Sequence, residues 1–204
     1  MIKAVLFDFG GVIAEEGFRE GLEAIARKNN LDATTFFFQV VDLINSTGYL
    51  TGKCGEQDFW ESIRVATRVV GSDVNLRVEI LSRFTIRLNM LKIVELIKSK
   101  GLTTGILSDQ TNWLDEINNS HQFYQYFDYI FNSFKLGKSK SNPSLFTDVC
   151  EYLNLIPEEI LFIDDNSYHI LRANNVGYNT IYFTGYEDFI SKLEAFLPLK
   201  ESTG

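Results

Sequence analysis

The stretch Ala4-Val5-Leu6-Phe7-Asp8-Phe9-Gly10-Gly11-Val12-Ile13 decides how the rest of the chain is read. Four consecutive apolar residues without alternation mark a short strand buried on both faces, as in a parallel sheet. The strand closes on a carboxylate, Asp8, and then on a glycine turn. A second stretch has the same grammar: Ile160-Leu161-Phe162-Ile163 closes on Asp164 and Asp165. If the two strands lie side by side, three carboxylates meet at the carboxyl edge of one sheet, where open α/β sheets hold their ligands. Carboxylates so crowded repel one another, and a hard cation is the simplest way to hold them together.

Between these ends the chain changes character once. From Ala14 to Thr85 no buried strand is evident, and the apolar spacing predicts helices over about Phe18–Asn29, Ala33–Ser46, Glu56–Val70 and Asn75–Phe84. Phe36, Phe37 and Phe38 in the second of these read as core residues. From Asn89 onward helices and strands alternate. A helix over Met90–Lys100, capped by Asn89 and stopped by Gly101, leads to a strand Thr103–Leu107 ending at Ser108. Further strands are expected at Tyr129–Phe131, Ile160–Ile163 and Thr180–Phe183. Helices are expected over Trp113–Ser120, from Pro143 to Leu153, over Tyr168–Asn175 and over Tyr186–Leu197. The pattern predicts an α/β fold: a doubly wound, parallel, five-stranded Rossmann-like sheet. Residues 1–13 and 86–204 would form this core, and residues 14–85 a small helical cap inserted after the first strand. Such an insert can cover the carboxyl edge. The tail Lys200–Gly204 is expected to fray.

Composition narrows the possible partners. Hydrophobic residues make up 45% of the 204 and charged residues 23%, enough for a proper core. A formal net charge of −8 argues against a nucleic-acid partner. No stretch has the length of a membrane span and no secretory leader is evident, so a cytoplasmic location is expected. Cys54 and Cys150 stand far apart without metal-ligand spacing and read as reduced thiols.

The polar residues that end strands or open the next loop are Asp8, Ser108, Lys140, Asp164 and Asp165. One carboxylate to attack, one hydroxyl, one ammonium and two further carboxylates suit a phosphoryl group, whose three oxygens need charge neutralisation. Gly10 and Gly11 let the backbone approach the phosphate.

The four stretches Leu6–Ile13, Ile106-Leu107-Ser108-Asp109, Leu136-Gly137-Lys138-Ser139-Lys140-Ser141-Asn142-Pro143-Ser144-Leu145-Phe146 and Ile160–Asn166 come in an order that resembles the haloacid dehalogenase superfamily, in its helical-cap phosphatase branch. The resemblance implies Asp8 as nucleophile, Ser108 as a phosphate ligand and Lys140 as the cation between nucleophile and phosphate. It also implies a substrate-binding group of Gly10, Gly11, Ser108, Asp109 and Lys140. Mg²⁺ would be held by Asp8, the Gly10 carbonyl and Asp165, with Asp164 direct or through water. The expected function is Mg²⁺-dependent hydrolysis of a small phosphorylated metabolite, a sugar phosphate or similar, through an aspartyl phosphate.

One position departs from that pattern. Phosphatases of this superfamily usually carry a second Asp two residues after the nucleophile, which protonates the leaving oxygen and then activates water; here it is Gly10. Loss of a positioned acid/base costs about 10²–10⁴-fold. A good leaving group can need less help, and relatives with glycine there include sugar-phosphatase-like proteins. Another acid can substitute, with Glu15, Glu16 and Asp109 nearest in sequence. Or the protein is a weakly active or inactive phosphate-binding or protein-interaction module. Dehalogenation fits less well, because that branch usually has Tyr in place of Gly10. A phospho-accepting receiver domain also gathers acids and a lysine on a parallel sheet, but it carries its acidic pair early and lacks a large insert. His169 reads as a packed or surface histidine, and Arg19, Arg64 and Arg68 as solvated.

Overall fold

The computed structural model describes residues 1–197, and the expected fraying of Lys200–Gly204 lies outside the described residues. The first strand, β1 (Ala4–Phe7), is followed by four helices: α1 (Gly17–Lys28), α2 (Ala33–Ser46), α3 (Glu56–Thr67) and α4 (Asp73–Leu81). Then come α5 (Leu88–Ser99), β2 (Thr103–Ser108), α6 (Trp113–His121), β3 (Tyr129–Asn132), the one-turn α7 (Ser133–Leu136) and α8 (Ser144–Leu153). The chain continues with β4 (Ile160–Asp164), α9 (Ser167–Val176), β5 (Asn179–Tyr182) and α10 (Tyr186–Phe196). The fold is α/β, as expected. Helix α5 starts at Leu88 rather than after Asn89. The Asn89 side chain still accepts the Met90 N–H at 3.0 Å, one residue inside the helix instead of at its cap. Helix α7 is absent from the sequence reading; four residues are too few to show a period.

The five strands are all parallel and run in the order β3-β2-β1-β4-β5. The winding reverses direction at β1, so the crevice at the carboxyl ends of β1 and β4 is the switch point of the sheet. Register sets what meets there. Phe7 pairs with Ile163, so Asp8 and Asp164 end neighbouring strands at the same level. On the other side Phe7 pairs with Ile106, which brings Ser108 up beside Asp8.

Alternation along each strand feeds two apolar layers. Val5, Phe7, Leu161 and Ile163 pack with Met90 and Val94 of α5, Trp113 of α6 and Phe189 of α10. Ala4, Leu6, Ile160 and Phe162 pack with Phe146 and Val149 of α8 and Ala173 of α9. The first layer continues without a break into Leu22, Ile25, Phe36, Val40, Phe59 and Trp60, so helices α1–α4 rest on the same apolar mass. Tyr49 joins the two regions: its ring stacks on Phe59 at 4.7 Å and meets Trp113 edge-on, while its hydroxyl donates to Asn112 Oδ1 at 2.7 Å. Of the three phenylalanines of α2, only Phe36 is fully buried. Phe38 is 63% exposed and Phe37 lines a cavity, because consecutive helical positions point about 100° apart and cannot share one face.

Helices α1 and α4 approach closely because α1 carries glycine at the crossing. A Cβ added at Gly21 would fall 2.5 Å from Ile80 Cα, a backbone atom that cannot swing away. Gly21→Ala is therefore expected to lower stability by about 1–3 kcal/mol through overpacking, despite alanine's better helix propensity. Urea denaturation measures this; an unchanged or raised midpoint would contradict the close crossing.

Candidate active site

At the carboxyl edge, Lys140 is wholly buried and sits between two carboxylates. Its Nζ lies 2.6 Å from Asp164 Oδ2 and 3.0 Å from Asp8 Oδ2. Burial alone would depress the ammonium. Asp164, then Asp8 and Asp109, outweigh it and hold the Lys140 pKa above the ordinary lysine value. Asp164 is held below the usual carboxylate range: its burial is overcome first by Lys140 and then by His169. Burial raises Asp8, and the neighbouring Asp164 and Asp165 charges push in the same direction against Lys140 and Ser108.

Each side chain is placed by local backbone. Asp8 Oδ1 accepts the Phe9 N–H at 2.7 Å and the Ser108 hydroxyl at 2.6 Å, so Oδ2 is the oxygen facing Lys140. The loop carrying Lys140 is anchored by Asp109, whose Oδ1 accepts the Lys140 N–H at 2.8 Å. Lys138, two residues earlier, instead pairs with Asp148 at the surface, which singles out Lys140 as the buried lysine of that basic turn. Asp164 spends Oδ1 on the Asn166 N–H at 2.7 Å and Oδ2 on Lys140.

Gly11 has φ of +79°, and a Cβ there would overlap the Asp165 carboxylate. Glycine is required by both the backbone and the neighbour. Arg87 pins this turn from outside by donating to the Gly11 and Val12 carbonyls, and it pairs with Glu15 at 2.7 Å. Burial raises the Glu16 carboxyl above the usual range, with Asp165 adding to the effect.

These groups open into a cavity of about 580 Å³ between the sheet edge and α1–α2. Asp8, Gly10, Ser108, Asp109, Lys140 and Asp165 all line it. The structure brings together every residue singled out at the strand ends, with one difference of detail. The ligand atoms of Asp8, Asp164 and His169 lie within 4.8 Å of one another, whereas Asp165 stands outside that triplet, against the Gly11 turn.

Several residues at the site were not assigned to it from sequence, His169, Arg19 and Trp113 among them. His169 is drawn in by α9, with Nδ1 3.2 Å from Asp164 Oδ2. It sits in the first turn of α9, which begins two residues after the Asp164–Asp165 pair. Arg19 is exposed, as expected, and it also borders the cavity, with its guanidinium 3.9 Å from the Phe37 ring centre. Trp113, at the start of α6, forms part of the apolar wall; nothing in its neighbours distinguishes it from an ordinary core residue.

Residues 2–177 match the model of the haloacid dehalogenase-like hydrolases. The chain belongs to that family. Among curated proteins it is 29% identical over 112 residues to rat bifunctional epoxide hydrolase 2, matching 52% of this chain and 20% of that protein. The chain spans about a fifth to a quarter of the length of these epoxide hydrolases. It is 24% identical over 217 residues to D-ribitol-5-phosphate phosphatase of Bacteroides thetaiotaomicron, covering 97% of this chain and 99% of that enzyme. The fold superposes on a family enzyme from the same bacterium with TM-score 0.77 at 23% identity, over 94% and 98% of the two chains. A variant of that enzyme holding magnesium and inorganic phosphate superposes with TM-score 0.75 at 20% identity, over 89% and 93%.

The buried ion triplet carries a stability consequence. Lys140→Met would leave Asp8 and Asp164 facing each other without a cation. Removing one partner of such a buried set costs about 3–5 kcal/mol. Denaturation in the presence of a chelator reads this directly, and a loss below 1 kcal/mol, about the worth of an exposed pair, would contradict the geometry.

Proposed function

We propose that this hydrolase is a Mg²⁺-dependent phosphatase of a small phosphorylated metabolite, a sugar phosphate or a similar monoester. The observation that carries the reading is Asp8 at the floor of a cavity, held by Ser108 on one carboxylate oxygen and by Lys140 on the other. The phosphatase among the relatives and the phosphate-bound neighbour support it.

The donor set suits a hard divalent cation. Carboxylate and carbonyl oxygens line the Asp8–Gly11 turn; burial, with neighbouring negative charge adding to it, raises Asp8 and Asp165, and such an ion offsets both effects. Asp8, the Gly10 carbonyl and Asp165 would hold it. Asp164, already engaged by Lys140 and the Asn166 N–H, would act through water. Bound there, Mg²⁺ would supply charge neutralisation to phosphoryl oxygens.

The chain's own residues do the rest. Asp8 attacks phosphorus in line and becomes an aspartyl phosphate as the substrate's P–O bond breaks. Lys140 holds positive charge at the attacking oxygen and the phosphoryl group throughout. The Ser108 hydroxyl, at rest on Asp8 Oδ1, turns to a phosphoryl oxygen. Backbone N–H groups of Gly10 and Gly11 cover the remaining side. Residues 14–85 act as the cap, and Phe18, Arg19, Phe37 and Leu50 face the leaving group from α1, α2 and the turn after α2.

The reading is tested with a panel of phosphate monoesters in Mg²⁺. The parent protein is expected to hydrolyse at least one sugar or polyol phosphate, chelator to abolish the activity, and Asp8→Asn to reduce it on the order of 10³-fold or more with the fold retained. Unchanged hydrolysis by Asp8→Asn would discard the mechanism. Gly10 favours a second reading, a phosphate-binding module without turnover, for which every ester of the panel would stay intact.

A further inference from the structure

We propose that Glu16 is the acid/base of this site, standing in space where the side chain two residues past the nucleophile would otherwise reach. The inference rests on the phosphatase reading. Gly10 has no positive φ, so the backbone there would accept any residue. What fills the space is another side chain: a Cβ built on Gly10 points at Glu16 Oε2, 3.3 Å away, with Phe84 and Gln110 next. The carboxylate therefore ends about where a short acidic side chain on residue 10 would put its own. It lines the same cavity as Asp8, Ser108 and Lys140.

Local structure aims it there. Glu16 precedes α1, and its Oε1 accepts the Arg19 N–H at 3.1 Å as the helix cap. That bond fixes the carboxylate and turns Oε2 toward Gly10. The competing acids are committed elsewhere. Glu15 is exposed and pairs through both oxygens with Arg87, at 3.0 and 2.7 Å. Asp109 anchors the Lys140 loop. Glycine at position 10 and glutamate at position 16 are thus one arrangement: a side chain on residue 10 would press on the Glu16 carboxylate and push it aside.

The steps balance. As Asp8 bonds to phosphorus and the ester P–O bond breaks, the Glu16 carboxyl gives its proton to the leaving oxygen, releasing an alcohol. The Glu16 carboxylate then takes a proton from water as that water's oxygen attacks phosphorus. The Asp8–phosphorus bond breaks, phosphate leaves, and Glu16 is again protonated.

The test compares Glu16→Gln with the parent on two substrates. One is 4-nitrophenyl phosphate, whose leaving group needs no proton. The other is the alkyl phosphate turned over fastest among glucose 6-phosphate, fructose 6-phosphate and glycerol 3-phosphate. On the alkyl ester kcat/KM is expected to fall about 10²–10⁴-fold. On 4-nitrophenyl phosphate kcat/KM is expected to change less than about tenfold, with a burst of nitrophenol as the phosphoenzyme accumulates. Because Glu16 also caps α1, a second variant separates chemistry from folding: Gly10→Asp combined with Glu16→Ala is expected to recover most of the alkyl phosphatase activity. Equal losses on the two esters, or no loss, overturn the assignment, as does a parent that cleaves only 4-nitrophenyl phosphate. A parent that cleaves neither ester overturns the phosphatase reading itself.

Discussion

A buried ammonium between two buried carboxylates is the constraint on which the rest of this structure depends. Lys140 and Asp164 are both inaccessible to solvent, and Asp8 is 8% exposed. Taking ions out of water costs several kcal/mol each unless their partners are close and their remaining valences are satisfied. Here the satisfaction is distributed over the whole sheet edge. The Asn166 N–H serves Asp164, the Phe9 N–H and Ser108 serve Asp8, and Asp109 holds the loop from which Lys140 descends. The four segments that carry these groups come from distant parts of the chain. They meet only because parallel register brings β1, β2 and β4 to the same level.

The same economy explains the glycines of the first turn. Gly11 makes room for Asp165 and takes a backbone conformation that side chains resist; Gly10 makes room for Glu16. Arg87, just ahead of α5, closes the turn from behind and neutralises Glu15. The turn is thus held between the strand-end acids and the first residues of the helical insert. One short segment, Asp8 to Arg19, consequently contributes both to the chemical floor of the cavity and to its substrate side.

Much of this was legible in the chain. Runs such as Ile160–Ile163 admit few readings when they are short, wholly apolar and end on acids, and helix–strand alternation after Asn89 leaves a doubly wound sheet as the natural outcome. What sequence could not supply was direction. Three phenylalanines in a row on α2 looked alike, yet one is buried, one faces the cavity and one faces solvent. Lys140 was named from its motif, with Lys138 two residues away in the same basic turn, and it is the loop that turns Lys138 outward to Asp148 and Lys140 inward. Glu15 and Glu16 likewise differ by a single residue, and only the start of α1 decides which of them faces Gly10. His169 entered the site because α9 starts just past the end of β4 and turns its first-turn imidazole back onto Asp164.

The central claim is that Asp8 accepts a phosphoryl group beside Lys140. Beryllofluoride, which mimics a phosphoryl group on a carboxylate, tests it without any assumption about substrate. With Mg²⁺ present, fluorine NMR of the parent protein is expected to show resonances of bound beryllofluoride that vanish in both Asp8→Ala and Lys140→Ala. Bound resonances that persist in Asp8→Ala would contradict the account.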